Sequence, residues 1–259
     1  RIQNGINPFE FDWKLKEGEI FDSPESVMTF SNDGLNGMSQ NMHTFVKEHI
    51  VRGYWKNKER PILVNNWEAT FMDFNEKKIL AIAAAAKDIG AEMFVLDDGW
   101  FGKRNIDNCS LGDWVVDKRK LPNGIEGIYN HLKPLGIDLG IWFEPEMVSP
   151  DSDLYRNHPD WCLHIADRPR SEGRNQLILD LSRKEVCDYL YDSLAAVLGT
   201  GMIAYVKWDF NRNMTEVGNP NVPADQKREI THRYYLGLYS LLERLVTDFP
   251  KVLFESCSG

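Results

Sequence analysis

The sequence contains few cysteines and no motif that would use them. Its four cysteines show no Cys-X-X-Cys spacing, so the sequence predicts neither a zinc site nor a small disulfide framework. The six histidines lack the spacing of a metal site such as His-Glu-X-X-His, and we assign them no catalytic role. We therefore expect no metal, no disulfide bonds and a reducing compartment.

Long apolar runs and an excess of positive charge are also missing. No run approaches the roughly 20 apolar residues of a membrane span, and the N-terminus lacks the basic-then-apolar pattern of a signal peptide. The formal net charge is −9, without long acidic runs. This charge disfavours binding to nucleic acid or to an anionic membrane surface, so the expected partner is small or uncharged.

The composition is that of a folded protein with a large core. Of the 259 residues, 42% are hydrophobic and 12% are aromatic. A length near 260 suits an α/β barrel, because such barrels often have about 250 residues. The chain begins at Arg1 rather than Met and stops directly after an apparent strand, "FESCSG". We therefore expect it to be part of a longer polypeptide.

Short apolar runs alternate with helical patterns from Ile62 onward, which is typical of repeated βα units. We predict strands in six segments: "PILVNNW", "MFVLDDGW", "DLGIWFEPE", "QLILDLS", "AYVKWDF" and "KVLFESCSG". Their starts are about 30 to 45 residues apart, the spacing of a strand, a crossover helix and loops. The fold class is therefore α/β: a (β/α)8 TIM-type barrel truncated after about strand six.

The intervening helices have recognisable ends. One starts at the capping residue Asn75 and stops at Gly90, a second ends at Gly199, and a third runs from about residue 224 until Pro250. Residues 1–55 mix aromatic alternation with Gly, Pro, Ser and Asn, which is typical of a β domain feeding a linker. We predict that residues 1–55 end an N-terminal β domain and that residues 56–259 form the catalytic barrel.

In such barrels the active site lies at the C-terminal ends of the strands. The predicted ends carry a ring of acids, amides and tryptophans: Asn65, Asn66, Trp67, Asp97, Asp98, Trp100, Trp142, Glu144, Glu146, Asp180, Lys207, Asp209, Asn211, Glu255 and Cys257. A neutral sugar needs acceptors for its hydroxyls, aromatic faces and carboxylates near its glycosidic bond. The predicted ligand is a carbohydrate.

Asp209 is the predicted nucleophile. Lys207, Asp209 and Asn211 alternate along one strand and share one face. Lys207 would place a positive charge near Asp209 and keep it ionised for attack on an anomeric carbon. The alternative is an internal Lys–Asp pair that only closes the barrel core.

The other candidates each have a structural alternative. Adjacent Asp97 and Asp98 repel each other unless donors such as sugar hydroxyls surround them, although a solvated turn or helix cap would also hold them. Trp142 is typical of a core position, but Glu144 on the same face favours the site. An exposed loop arginine such as Arg174 is usually only solvated, and Cys257 alone suggests a small packing residue.

Five motifs in order, "FVLDDGWF", "GIWFEPEMVSP", "RNQLILDLS", "YVKWDFNR" and "FESCSG", resemble the catalytic barrel of glycoside hydrolase family 36, the bacterial-type α-galactosidases. The resemblance runs from about residue 10 to the last residue. It implies a retaining hydrolase without a cofactor that releases α-linked galactose from melibiose and raffinose. It also implies that Asp209 is the nucleophile and that the galactose subsite contains Asp97, Asp98, Trp142, Arg174, Lys207, Asn211 and Cys257.

The resemblance further implies what lies outside this sequence. The family's acid/base aspartate follows the "SCSG" strand, so we expect it beyond Gly259 and expect residues 1–259 alone to be inactive. Members carry a β-sandwich before the barrel and a β domain after it, and they are commonly cytoplasmic tetramers. We expect the same here.

Three other functions fit the same ring of residues. A Mg²⁺-dependent, enolase-like barrel would use its acids, but four tryptophans at strand ends favour a sugar instead. A non-catalytic sugar-binding relative would not need the Lys-X-Asp-X-Asn pattern. A galactosyl transferase of the same family would differ from a hydrolase in acceptor loops that the sequence does not define.

Overall fold

A computed structural model describes residues 3–258 of the chain. The strands within this range are, in chain order, β1 (Leu63–Asn65), β2 (Met93–Leu96), β3 (Asp138–Phe143), β4 (Met147–Val148), β5 (Leu177–Ile178), β6 (Ile203–Trp208) and β7 (Leu253–Ser256). The α-helices are α1 (Gly34–Phe45), α2 (Trp67–Thr70), α3 (Glu76–Asp88), α4 (Gly124–Leu132), α5 (Asp153–Asn157), α6 (Lys184–Leu198) and α7 (Ile230–Asp248). A π-helical turn, Val46–Ile50, extends α1, and 3₁₀ turns span Lys133–Leu135, Pro159–Trp161 and Ala224–Glu229.

Five of the strands form one parallel sheet in the order β1-β2-β3-β6-β7. Helices α3, α4, α6 and α7 occur on the crossovers between neighbouring strands, as parallel pairing requires. The fold is therefore part of a TIM-type α/β barrel, as the alternating pattern predicts.

The predicted strand "QLILDLS" lies outside this sheet, so the sheet contains five of the six predicted strands. Its central residues form β5, which pairs antiparallel with β4, and Ile178 lies opposite Met147. Strand β3 consequently pairs directly with β6. A short buried apolar run fits either a barrel strand or a buried strand outside the barrel sheet, because periodicity alone does not distinguish the two.

The helix ends agree closely with their sequence signals. The Asn75 side chain accepts a hydrogen bond from the backbone N–H of Lys78 at 3.0 Å and caps α3. Gly90, just after that helix, has a φ of +85°, a conformation that favours glycine. Helix α6 ends at Leu198 with Gly199 as its C-cap, and α7 stops two residues before Pro250.

The N-terminal segment contributes little to the core. Residues 3–33 form no helix or strand in the structure, and no residue of α1 is fully buried. The division at residue 55 stays a prediction. None of the described helices has both the length and the apolar character needed to cross a bilayer.

The barrel core is aromatic near the C-terminal ends of the strands. Phe101 stacks nearly parallel to Trp142 with ring centres 6.1 Å apart, and Trp100 meets Phe143 edge to face at 5.5 Å. Gly140 in β3 leaves room for its neighbours, since a Cβ there would lie 2.7 Å from the Tyr205 ring. Such packing holds the strand ends rigidly.

Helix α7 approaches the rest of the domain closely at Gly237. A Cβ at this position would overlap the carbonyl oxygen of Leu181. Gly237→Ala should therefore lower the free energy of unfolding by about 1–3 kcal/mol, despite the higher helix propensity of alanine. Chemical denaturation measures this change. Ser240→Ala, at an exposed position of the same helix, is the control and should not be destabilising; equal stability of both variants would contradict the close contact.

Candidate active site

The ends of four parallel strands bring the predicted site residues other than Arg174 together. Asp97 follows β2, Glu144 follows β3, Asp209 follows β6 and Cys257 follows β7. The backbone N–H of Asp209 donates to the carbonyl of Phe143 at 2.8 Å, and the N–H of Cys257 donates to the carbonyl of Trp208 at 2.7 Å. Backbone pairing thus extends past the strands and fixes where these side chains start.

Asp209 is buried, with 6% of its surface exposed, and neutral donors hold its carboxylate. The Trp142 indole N–H and the Asn211 amide both donate to Oδ2, at 3.0 and 2.6 Å. The backbone N–H of Phe210 donates to Oδ1 at 3.0 Å. These bonds fix the orientation of the carboxylate.

Lys207 pairs with Asp97 rather than with Asp209. Its Nζ lies 2.9 Å from Asp97 Oδ2, which also accepts the Asn65 amide at 2.5 Å. Burial lowers the pKa of Lys207, but the charge and hydrogen bond of Asp97 outweigh it, and the net pKa is raised. The direct Lys207–Asp209 pair that the shared strand face suggests is therefore absent.

Asp98 forms a buried ion pair that the sequence did not indicate. Arg104 donates to both carboxylate oxygens of Asp98, from Nε at 3.0 Å and from Nη2 at 3.0 Å. It also donates to the carbonyl of Cys109 at 2.8 Å. Burial raises the pKa of Asp98 although Arg104 counteracts it. Each of the two adjacent aspartates thus has its own cation: Lys207 pairs with Asp97, and Arg104 pairs with Asp98.

Glu144 is the most enclosed carboxylate beside Asp209. Only 1% of its surface is exposed, and both of its oxygens accept hydrogen bonds from neutral groups. Burial raises the pKa of Glu144 to about 7; the Asn211 backbone N–H opposes that shift and the charge of Asp209 adds to it.

Trp142 serves the core and the site together. It is almost fully buried, its carbonyl accepts the Trp100 indole N–H at 3.0 Å, and its own indole N–H points to Asp209. Cys257, half-buried, faces the same carboxylate. Burial raises the pKa of its thiol, and the negative charge of Asp209 contributes to this rise.

Arg174 lies apart from this cluster. It is exposed, and with Asn175 it forms the tip of a turn between Gly173 and Gln176, at φ values of 55° and 57°. Its guanidinium has no hydrogen-bond or ion-pair partner among residues 3–258. Its place in the substrate site stays a prediction.

Two further strand-end acids have other partners. Glu146 accepts from the Trp208 indole at 2.9 Å and from the Tyr234 hydroxyl, and Asp180 accepts from Asn219 at 2.7 Å. Within the described part of the chain, no three His, Cys, Asp or Glu side chains are grouped so that they could hold a metal ion.

Sequence reasoning missed Arg104 and Gln176. Arg104 lies in a loop without periodicity, and Gln176 is a polar residue before an apolar run. Neither position carries a sequence signal for its partner, because loop packing decides both contacts.

A parallel barrel sheet with acids, an amide and tryptophan around a buried carboxylate is typical of the class of barrel glycosidases. The comparison with known families agrees. The chain belongs to the melibiase family, whose sequence model matches residues 20–259.

Several curated relatives match the whole chain or nearly all of it. The chain is 56% identical to the α-galactosidase AgaA of Geobacillus stearothermophilus over 259 residues and 49% identical to the α-galactosidase Mel36A of Lactobacillus acidophilus over 258. These matches span all of this chain but only 36% and 35% of the two relatives.

Solved structures agree with the fold. The AgaA crystal structure, a glycoside hydrolase family 36 enzyme, matches 98% of this chain and 36% of its own, with a TM-score of 0.96. An α-galactosidase from Lactobacillus brevis matches with a TM-score of 0.95 at 48% identity, covering 98% of this chain and 34% of that one. Variants of AgaA have been crystallised with raffinose and with stachyose.

The raised pKa of Glu144 has a measurable effect on stability. Between the ordinary carboxyl pKa of 4.5 and about 7, the folded protein holds a proton that the unfolded chain releases. The contribution of Glu144 to the free energy of unfolding therefore falls as pH rises through this window, by about 3 kcal/mol in all. Denaturant titrations of wild type and Glu144→Gln from pH 4 to 8 measure it. If the difference in free energy of unfolding between wild type and Glu144→Gln did not change with pH, the raised pKa of Glu144 would be wrong.

Proposed function

We propose that the protein to which these residues belong is a retaining α-galactosidase. It would release terminal α-linked galactose from oligosaccharides such as melibiose and raffinose. The observation that carries this proposal is the environment of Asp209: a buried carboxylate at a barrel strand end, oriented by Trp142 and Asn211. The α-galactosidase activity of relatives up to 56% identical supports it.

In the proposed mechanism Asp209 attacks the anomeric carbon of galactose and forms a covalent galactosyl ester, which water then hydrolyses. Its Oδ2 accepts two side-chain hydrogen bonds, whereas Oδ1 accepts one from the backbone. Oδ1 is therefore the freer oxygen for attack. The bonds to Oδ2 keep the carboxylate in one orientation, so little reorganisation is needed when the ester forms.

The neighbouring charges suit the sugar hydroxyls. Lys207 can donate a hydrogen bond, while Asp97 and Asp98, each held by a cation, can accept hydrogen bonds from substrate. We propose that Trp142, Arg174, Asn211 and Cys257 complete the galactose subsite. This assignment uses no cofactor and no metal.

We further propose that the full-length protein is a cytoplasmic homotetramer. The cysteines of the described part are free, and three of the four are buried, which suits a reducing compartment. The tetramer rests on the family resemblance.

Asp209→Ala in the full-length protein tests the nucleophile. Hydrolysis of p-nitrophenyl α-galactoside should fall by about four orders of magnitude or more, because the covalent intermediate no longer forms. Added azide should restore turnover and yield β-galactosyl azide, since the small anion enters the space left by the carboxylate and attacks with inversion.

Asp73→Ala is the matched control, because it removes an exposed carboxylate whose one ion-pair partner among residues 3–258 is Lys78, at the surface. It should keep normal activity. If Asp209→Ala also kept most of its activity, the "KWDFN" segment would be structural, and the nucleophile would have to be sought among Asp97, Asp98 and Glu144.

The acid/base group is proposed to be an aspartate on polypeptide that follows Gly259. Retaining hydrolysis needs two carboxylates about 5–5.5 Å apart, one for attack and one to protonate the leaving oxygen. Residues 1–259 produced alone should therefore show no turnover of raffinose or of the p-nitrophenyl substrate. Measurable turnover by this piece would place the acid/base within it.

A further inference from the structure

The buried carboxylate of Glu144 joins two segments that are far apart in sequence. Its Oε1 accepts the backbone N–H of Asn211 at 2.8 Å, and its Oε2 accepts the Gln176 amide at 3.1 Å. Asn211 belongs to the loop after β6, whereas Gln176 directly precedes β5. One side chain therefore joins the loop after β6 to the start of the antiparallel β4–β5 pair.

Each donor leads on to a residue of the proposed site. The amide of Asn211 donates to Asp209 Oδ2 at 2.6 Å. Gln176 closes the turn that presents Arg174, through backbone hydrogen bonds with Gly173 of 3.0 and 3.2 Å. Movement of Glu144 would therefore displace both the support of Asp209 and the base of the Arg174 turn.

A second connection runs parallel to the first. The buried guanidinium of Arg212 donates through Nη1 to the carbonyls of Gln176 at 2.6 Å and Ser171 at 2.8 Å. The turn thus stays attached when the Glu144 contact is weakened. A substitution at Glu144 should shift the loops rather than unfold them.

We propose that Glu144 is a positioning residue for glycoside cleavage, in which its carboxylate couples the placement of Asn211 against Asp209 to the placement of the Arg174 turn. This inference rests on the proposed role of Asp209. The charged groups that face Glu144 are Asp209, Asp98 and Arg104; the two aspartates oppose its charge and the arginine favours it.

The hydrogen-bond pattern shows how to test the coupling. When it is ionised, above its pKa of about 7, Glu144 supplies two acceptors, whereas a glutamine there supplies one acceptor and one donor. In Glu144→Gln the new donor meets the Gln176 amide, unless that amide turns over and leaves its N–H₂ unpaired. The Gln176 Oε1 atom, buried and without a partner among the described residues, is the acceptor that a turned amide would offer.

The double variant E144Q/Q176E reverses the pair. The glutamine at position 144 still accepts the Asn211 N–H, and its amide donates to the new carboxylate at position 176. The hydrogen bonds and the single negative charge are both kept, only exchanged between the two positions. Q176E alone places two carboxylates face to face.

The experiment is a double-mutant cycle in the full-length enzyme at pH 8, where Glu144 is mostly ionised, with kcat and KM for raffinose measured at each corner. Either single variant should lower kcat/KM by roughly 10- to 100-fold, since small displacements of reacting groups are costly. The double variant should recover to within about threefold of wild type, because interacting positions are non-additive. Thermal unfolding of every variant reports whether it folds.

Glu146 provides the matched control. It is also a buried glutamate held by neutral donors, Trp208 and Tyr234, but it makes no hydrogen bond to Gln176. E146Q/Q176E should show no recovery over Q176E. If kcat/KM recovered in E146Q/Q176E, removal of any nearby negative charge would be enough to relieve Q176E, and the proposal would be overturned.

The proposal is also overturned if E144Q keeps wild-type kcat/KM, or if E144Q/Q176E is no better than the single variants. If E144Q does not fold, Gln176→Ala removes the same contact from the other side and should lower kcat/KM by about tenfold. Wild-type kcat/KM in Gln176→Ala would then overturn the proposal.

Azide rescue of Asp209→Ala is measured in parallel. Its success beside a failed cycle rejects only the role of Glu144, whereas retained activity in Asp209→Ala rejects the proposed function itself.

Discussion

The direct pairing of β3 with β6 is the contact on which the site depends. It places Trp142 beside Lys207 and Phe143 beside Trp208, and the next backbone hydrogen bond runs from Asp209 to the Phe143 carbonyl. Side chains at the end of β3 therefore contact side chains at the end of β6 directly. A one-residue slip would turn Asp209 away from the Trp142 indole, because strand side chains alternate between faces.

The electrostatics of the site follow from burial. Asp97 and Asp98 each have one cation, while Asp209 and Glu144 have only neutral donors. A buried carboxylate without a cation is costly unless several hydrogen bonds hold it. The structure supplies such bonds to Asp209 from a tryptophan, an amide and the backbone. The Asp209 carboxylate therefore forms no ion pair among the described residues, and no cation has to be displaced before it can react.

The fold and the strand-end positions of the site residues could be predicted from the sequence, whereas the contacts between their side chains could not. Asn75 and Gly199 mark helix ends through local backbone chemistry, and the strand-end position of Asp209 follows from alternation. The Arg104–Asp98 pair, the Lys207–Asp97 pair and the Glu144–Gln176 contact depend on how loops pack, for which sequence spacing carries no signal. The prediction that "QLILDLS" is a strand of the barrel sheet is wrong for a related reason, since its apolar run suits a short strand outside that sheet equally well.

The antiparallel β4–β5 pair has a consequence for how such a site can change. It lies between β3 and β6 in the chain but takes no part in their pairing. The turn that presents Arg174 can therefore lengthen, shorten or change its tip while the register that sets Asp209 stays as it is. In the proposed function, the Arg174 turn that would contact substrate and the strand register that sets Asp209 thus lie in separate parts of the chain, which Glu144 and Arg212 join.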